Sequence, residues 1–423
     1  MPARPDLPVP AGPDRSRSPA GPAGNAEVNL SRSTAVHAAG GLPFSFTGEA
    51  DDVPAGQVTA EQATTAGPVE APAPTSSRQV SWDAIRVLAI FAVLAYHITC
   101  LAPLTLPGLP PLQPWLQMDF PFGSATLIVV SGFFAATTVG RSTPLRWWLR
   151  RLARMLPAFW VAVLVIFTVS RLFAPDDFVR PDFGDLIGNL LLAHLLLPGV
   201  DYIDLAHWTV PVQVAAFTMI ALLARRGRIR GHLASAVLWF VLLAPLAVRV
   251  LFMNPDVPAP AWLSAIMDGT GLNRAHLVIA GVSIFRWSRG RIGFPQLFLM
   301  LCVVLWAHTV HPPGGDSVQM FTLALVLVCV AAYRPAWNVR ILNRLAKPIQ
   351  WLAGISYGVY LMHYTIGTIV ARRLADLGLA WWVWVPAFFA SAVLLGWALT
   401  RWVERPAFKL LTVPQRERLS LRT

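Results

Sequence analysis

The stretch that decides the fold is AHWTVPVQVAAFTMIALLARRGRIR, residues 206–230. From 206 to 224 it carries no Asp, Glu, Lys or Arg, and at ~1.5 Å per residue that run covers ~28 Å of a hydrocarbon core ~30 Å thick. It then closes on Arg225, Arg226, Arg228 and Arg230. An apolar run ending in a basic cluster reads as a membrane span whose last residues face the cytoplasm. The surrounding chain repeats the pattern, with 55% hydrophobic and 13% charged residues and a mean hydropathy of +0.54. Seventeen Trp and 22 Phe suit rings placed at headgroup level.

Ten segments are long enough to span, near 80–102, 120–140, 156–173, 206–224, 233–253, 273–287, 292–311, 316–333, 351–371 and 379–401. An eleventh, at 185–198, would rise only ~21 Å as a helix. Counting it as a span would put Arg225 to Arg230 outside and invert every later loop. Left out, the inner loops 141–154, 225–231, 286–291 and 334–347 hold sixteen Lys or Arg. The outer connections then hold Arg171, Arg180, Arg372 and Arg373 beside Asp176, Asp177, Asp201, Asp204 and Asp316. The expected fold is all-α: a polytopic bundle of ten transmembrane helices, both termini cytoplasmic, in the inner (plasma) membrane. Segment 185–198 is expected as a short re-entrant or interfacial helix marking where a cavity opens.

Three domains follow: a Pro/Ala-rich cytoplasmic tail at 1–77, expected to be disordered; a membrane domain at 78–411; and a cytoplasmic tail at 412–423. The tail to residue 77 holds four arginines against eight acids, a net −4, so of the overall +12 the remainder of the chain carries about +16. There it lies in short clusters between spans, which argues for a bilayer and against nucleic acid as partner. Cys100, Cys302 and Cys329 sit in apolar runs without metal-ligand or disulfide spacing. No metal site is expected.

Ionisable residues inside spans are functional candidates. His97 lies eleven residues after Arg86 in the first helix, ~16 Å deeper, near or past the midplane. A neutral imidazole there can take a proton from a hydroxyl, or can serve packing through a hydrogen bond to a neighbouring helix. Asp83 and Arg86 share a face at the cytoplasmic end of this helix. Arg150, Arg151 and Arg154 precede Pro157, and clustered guanidiniums suit either phosphate binding or ordinary inner-face anchoring, with Arg154 the stronger candidate. Ser131 and Ser356 stand beside glycines, where close helix packing is the simpler reading. Tyr357, Tyr360 and His363, spaced by three, can share one helix face turned toward a cavity. Arg249 and Arg274 are placed to snorkel or to meet an anionic acceptor, and His308 and His311 are expected at the interface.

Together these residues carry a resemblance. The run RxxxxDxxRxxAxxxVxxxH, formed by Arg78, Asp83, Arg86, Ala89, Val93 and His97, resembles the opening motif of the acyltransferase-3 family. Ser131-Gly132-Phe133 is similar to its SGF stretch, and Arg150-Arg151, Arg154 and Pro157 to its RRxxRxxP. Ile355 to His363 resembles its SYxxYLxH run, and Glu404-Arg405-Pro406 its closing ERP. Five matches in order cover about 330 residues. The resemblance implies an integral membrane O-acyltransferase that moves an acetyl or short acyl group from acyl-CoA to a hydroxyl of a sugar, lipid, polysaccharide precursor or secondary metabolite. It implies His97 as the catalytic histidine and Arg86, Arg151 and Arg154 as donor-site arginines, with acyl-CoA as co-substrate and no bound cofactor.

One landmark departs from the pattern. Where the family commonly has Trp followed five residues later by Glu, Trp208 is followed by Gln213. A glutamine can orient a hydroxyl but cannot take its proton, which leaves His97 as the expected base. Asp83, Ser131, Trp208, Gln213, Tyr357, Tyr360 and His363 are the expected supporting and acceptor-cavity residues. The alternatives are a multi-pass transporter or flippase, for which no internal repeat is seen, and a catalytically altered family member.

Overall fold

A computed structural model of the chain describes residues 79–106, 108–197, 199–225, 233–253, 259–311 and 317–412. The 1–77 tail, Arg78, Arg226, Arg228, Arg230, Asp316 and all but the first residue of the 412–423 tail lie outside the described residues. Among the described residues the structure is helical throughout, with no strand.

The apolar runs become helices because a backbone in lipid has no other way to satisfy its own hydrogen bonds. Helix α1 (Val80–Tyr96) continues through a wide π turn at His97–Leu101 into Ala102–Thr105. Then follow α2 (Gly123–Thr138), α3 (Pro144–Phe173), α4 (Phe183–Leu190), α5 (Thr209–Arg225), α6 (Leu233–Phe252) and α7 (Ala261–Gly269). After these come α8 (Ala275–Ser288), α9 (Phe294–Val310), α10 (Val318–Tyr333), α11 (Ala346–Met362), α12 (Tyr364–Asp376) and α13 (Trp381–Leu399). A second π turn, Thr400–Glu404, leads from α13 into a last helix, Arg405–Thr412.

Six of these helical stretches are long and apolar enough to cross a membrane: Val80–Thr105, Gly123–Arg141, Pro144–Phe173, Leu205–Arg225, Leu233–Phe252 and Trp381–Thr412. Phe294–Val310 and Val318–Tyr333 are apolar but shorter. Helix α8, at fourteen residues, would rise only ~21 Å. The remaining expected span, 351–371, is one apolar run in sequence but two helices in space, broken at His363.

Segment 185–198 does not form a span. Its helix, α4, ends at Leu190 after eight residues, and Leu192 takes a left-handed conformation (φ 60°) before a single 3₁₀ turn at Ala193–Leu195. A reciprocal cap between Asp182 and Asp185 starts α4. Asn189 then ties it down by donating to the Asp185 and Asp201 carbonyls at 2.8 Å each.

The bundle is organised around α2 packed on α8, with α1 beside α2 and α11 beside α1. Helices α6, α9 and α10 gather on the α8 side, and α12 and α13 on the α11 side. Glycine sets the closest approach. A Cβ at Gly281 of α8 would collide with the Val129 carbonyl of α2, and one at Gly358 of α11 with the Gly396 carbonyl of α13. These are the small-residue contacts that association in lipid requires, where apolar burial between helices supplies no drive. His276, His308 and His311, two of them expected at the interface, are instead buried together, with His276 Nε2 3.2 Å from His308 Nδ1. Neutral imidazoles can be buried as a group where charged side chains could not.

Because the Gly281 contact is backbone against backbone, no rotamer change relieves it. Gly281→Ala is expected to destabilise the protein by about 1–3 kcal/mol, read as a lower unfolding midpoint in detergent, whereas Gly290→Ala, where a Cβ meets nothing, shifts the midpoint only by the strain of its positive φ. Equal midpoints for Gly281→Ala and the unsubstituted chain would show the α2–α8 contact is not tight.

Candidate active site

The site is built where α1 and α11 lose their regular hydrogen bonding. The π turn that opens at His97 lets Ala102 N–H reach back five residues to the His97 carbonyl. Such single-turn widenings recur at functional sites because they rotate the following side chains off the helix register. Across from it, the break at His363 frees backbone groups of the preceding turn. His363 Nδ1 lies 2.8 Å from the Tyr360 carbonyl, and His207 Nε2 lies 3.0 Å from the Leu361 carbonyl. On the far side of the break, Thr365 N–H donates to Asp204 Oδ2 at 2.9 Å and the Thr365 hydroxyl to the Ile203 carbonyl at 3.2 Å. The Tyr360 hydroxyl donates to the Ala206 carbonyl at 3.0 Å. The loop 203–207 thus clamps the break.

His97 Nδ1 lies 2.7 Å from His363 Nε2, with the two rings nearly parallel. The chain of contacts fixes the protons. A carbonyl only accepts, so His363 Nδ1 is the N–H that donates to Tyr360. In the neutral ring its Nε2 is then the acceptor, and His97 Nδ1 must donate to it. His97 Nε2 is left with its lone pair, on a ring that faces the outer cavity described next. Tyr364 lies edge-on to the same ring, centroids 4.9 Å apart, and is held by the Thr105 hydroxyl at 2.6 Å.

Two cavities meet near this point. One, called inner after the expected topology, is ≈ 170 Å³ and is lined by Arg86, Arg151 and Arg154 together with Ser131, Gln213, Tyr357, Tyr360 and Glu404. The outer one, ≈ 420 Å³, is lined by His97 with Tyr96, Tyr202, Trp208, Asp268, Asn273 and Arg274. Ser124 lines both.

The expected residues therefore divide. The three arginines come together with Ser131, Gln213, Tyr357 and Tyr360 in the inner cavity, while His97 and Trp208 line the outer one. Ser131 Oγ donates to Gln213 Oε1 at 3.3 Å. Asp83 does not line either cavity; it is buried behind Arg86, 3.7 Å from it. Nor does His363, which stands behind His97 and not on the cavity face shared by Tyr357 and Tyr360. The one-face reading fails there because the helix breaks at that residue.

The arginines are held differently from one another. Arg151 donates to the Phe134 carbonyl at 2.9 Å and the Thr138 hydroxyl at 2.8 Å, and lies over the Trp147 and Phe217 rings. Arg154, 62% exposed, pairs at 3.3 Å with Glu404, which is 7% exposed. Glu404 also accepts from the Thr400 hydroxyl at 3.2 Å. Its place in the cavity was not foreseen; the second π turn ends on it and turns it inward. In the outer cavity, Arg274 stacks over Trp208 at 4.8 Å instead of reaching away to the interface, and Asn273 donates to Asp268 at 2.7 Å. Burial, and secondly the charge of Asp268, push the Tyr202 phenol above its usual range.

The chain matches a family model described as an acyltransferase domain over residues 79–401. It is 22% identical over 336 residues to the peptidoglycan O-acetyltransferase OatA of Listeria monocytogenes, covering 70% of this chain and 50% of that protein. It is 20% identical over 369 residues to the O-acetyltransferase OatA of Staphylococcus aureus, covering 77% of this chain and 57% of that one. The chain thus spans little more than half the length of these relatives. No solved structure matches it.

The Arg154–Glu404 pair is asymmetric, and its two halves should fail differently. Arg154→Met leaves a buried carboxylate without its cation and is expected to destabilise by about 1–3 kcal/mol. Glu404→Gln leaves a mostly exposed guanidinium, which water can solvate, and should lower the unfolding midpoint by less. The reverse order would place the dominant interaction of Glu404 elsewhere.

Proposed function

This chain belongs to the acyltransferase-3 family and is an acyltransferase of the membrane, and on that premise we propose that it transfers an acetyl or short acyl group from acyl-CoA to a hydroxyl of a sugar, lipid, polysaccharide precursor or secondary metabolite. The observation that carries the reading is the His97–His363 hydrogen bond at 2.7 Å, backed by the Tyr360 carbonyl. It supplies a general base with one defined nitrogen free, which a packing histidine would not need.

In the proposed reaction the donor phosphates meet the cytoplasmic arginines Arg86, Arg151 and Arg154. Arg151 is the strongest anion partner of the three, since no carboxylate among the described residues pairs with it, whereas Arg86 has Asp83 and Arg154 has Glu404. The acyl thioester reaches toward Ser124, between the two cavities. The acceptor lies in the outer cavity with its hydroxyl at His97 Nε2. As the hydroxyl oxygen attacks the thioester carbon, His97 takes the proton; the C–S bond then breaks, and the same proton passes to the leaving thiolate. The products are an ester and coenzyme A. His363 is a positioning residue: by accepting from His97 Nδ1 it holds the tautomer and steadies the imidazolium that forms. Gln213, held by Ser131, orients a reactant without exchanging a proton. Trp208 offers a flat apolar face with Arg274 on its other side, suited to a hydroxylated ring.

We also propose the ten-span arrangement in the plasma membrane with both termini cytoplasmic. The shorter helices α8, α9 and α10 and the broken α11–α12 pair complete the six longer spans, and the basic loops fall on one side as residue charge requires. A cysteine placed at Tyr202 is then expected to react with a membrane-impermeant thiol reagent in intact cells. Labelling only after permeabilisation would overturn the count.

The activity is tested by coenzyme A release from acetyl-CoA by the purified protein with a panel of hydroxylated acceptors. His97→Ala is expected to lose roughly 10²–10⁴-fold in rate. Equal rates for His97→Ala and the unsubstituted protein would end the mechanism. His363→Ala should lower kcat with KM little changed, and His363→Gln, whose amide oxygen can accept from His97, should recover part of the loss; an unchanged kcat in His363→Ala would remove its positioning role. Gln213→Glu separates adaptation from lesion, a fall in turnover being expected if glutamine is suited to this acceptor.

A further inference from the structure

Away from both cavities, an apolar groove of ≈ 310 Å³ runs between α5 and the paired helices α6 and α8. Helix α5 contributes Val212, Ala215, Ala216, Met219, Ile220 and Leu223, a single face at helical spacing. Helix α8 answers with Ala275, Val278, Ile279 and Val282. The small side chains leave a trough where larger ones would have packed the helices together. Helix α5 packs instead on α2 and α3, and α6 on α8 and α9.

Among the described residues that line it, the groove is charged at one end only. Its inner end carries Arg286, 6% exposed, with Nη2 3.5 Å from the Ser235 hydroxyl. Among the described residues no acid lines the groove. Arg289 and Arg291 follow in the turn after α8. From Val212 to Leu223, and from Ala275 to Arg286, the walls run ~16 Å at ~1.5 Å per residue. That is close to one leaflet of a hydrocarbon core ~30 Å thick. An apolar trough one leaflet long with a buried cation at one end, cytoplasmic in the topology proposed above, on which this inference rests, is complementary to a particular occupant.

We propose that this groove binds an anionic phospholipid of the inner leaflet, with one acyl chain lying between α5 and α8 and the phosphate against Arg286. Phosphate can accept bidentately from a guanidinium and can join the partners that Arg286 already has within the protein. The acyl chain fills the space the alanines leave, so that α5, which carries Trp208 and Gln213 at or near its outer end, is supported along its length. The lipid is structural to the site and separate from donor and acceptor.

The test is native mass spectrometry of the full chain in detergent, titrated with phosphatidylglycerol or phosphatidylcholine of equal chain length. The unsubstituted protein is expected to retain phosphatidylglycerol with about tenfold or greater preference. Arg286→Gln should bring the preference close to one, and Arg286→Lys should keep part of it. Ala216→Trp in α5 and Val237→Trp in α6, both at residues that line the groove, fill it and leave every arginine in place, and should each remove the retained lipid. Should Arg286→Gln fail to fold, the two filling variants decide the matter. Equal retention of both lipids by the unsubstituted protein, an undiminished preference in Arg286→Gln, or retained phosphatidylglycerol in both filling variants would overturn the assignment.

Discussion

A membrane helix that breaks must find partners for the backbone groups it releases, and the break at His363 is the constraint from which the site follows. Within hydrocarbon an unsatisfied carbonyl costs several kcal/mol. Here the Tyr360 and Leu361 carbonyls meet the imidazoles of His363 and His207, and the amide of Thr365 meets Asp204. Satisfying the break and orienting His97 are one arrangement. Because the Tyr360 carbonyl can only accept, it sets the tautomer of His363, and His363 sets that of His97. The buried Asp204 serves the same end from the loop, since its other oxygen accepts from Ala206 N–H at 2.9 Å and so fixes the segment that carries His207 and Trp208.

Much of this was legible in the sequence, and the limits are instructive. Hydropathy and loop charge found every long helix, and short length together with the charge of the 225–230 loop separated 185–198 from the spans. The cap at Asp182 and the left-handed Leu192 explain why that segment stops so early. The grouping of Arg86, Arg151 and Arg154 came from the family resemblance, and the three do line one cavity. The break at 363 was not readable. Residues 351–371 form one uninterrupted apolar stretch, and what divides it comes from Asp204 and His207, more than 150 residues away in the chain.

Glu404 and the histidine cluster show the same limit from other directions. As part of a three-residue match near the end of the chain, Glu404 carried little weight on its own. One additional residue in the turn Thr400–Glu404 rotates it toward Arg154, and no local pattern announces a π turn. His308 and His311 looked interfacial because imidazole is polar and they close a span. Their burial with His276 depends on a neighbour from another helix, which periodicity along one helix cannot supply.

The wall between the two cavities is the last element that the packing determines. At Gly123, a Cβ would collide with the Ala89 carbonyl, so the start of α2 lies directly on the backbone of α1 with no side chain between them. That contact carries Ser124 to the boundary, where it lines both cavities, with Leu127 and Ile128 on the inner side and Val93 on the outer. In the proposed reaction, with donor and acceptor entering from opposite sides, such a wall has to be thin, because the acyl group must pass it. It must also be largely apolar, because a continuous water column would hydrolyse the donor and conduct protons. One serine set among aliphatic side chains, and held there by a glycine that lets two backbones touch, meets both requirements in one layer of residues.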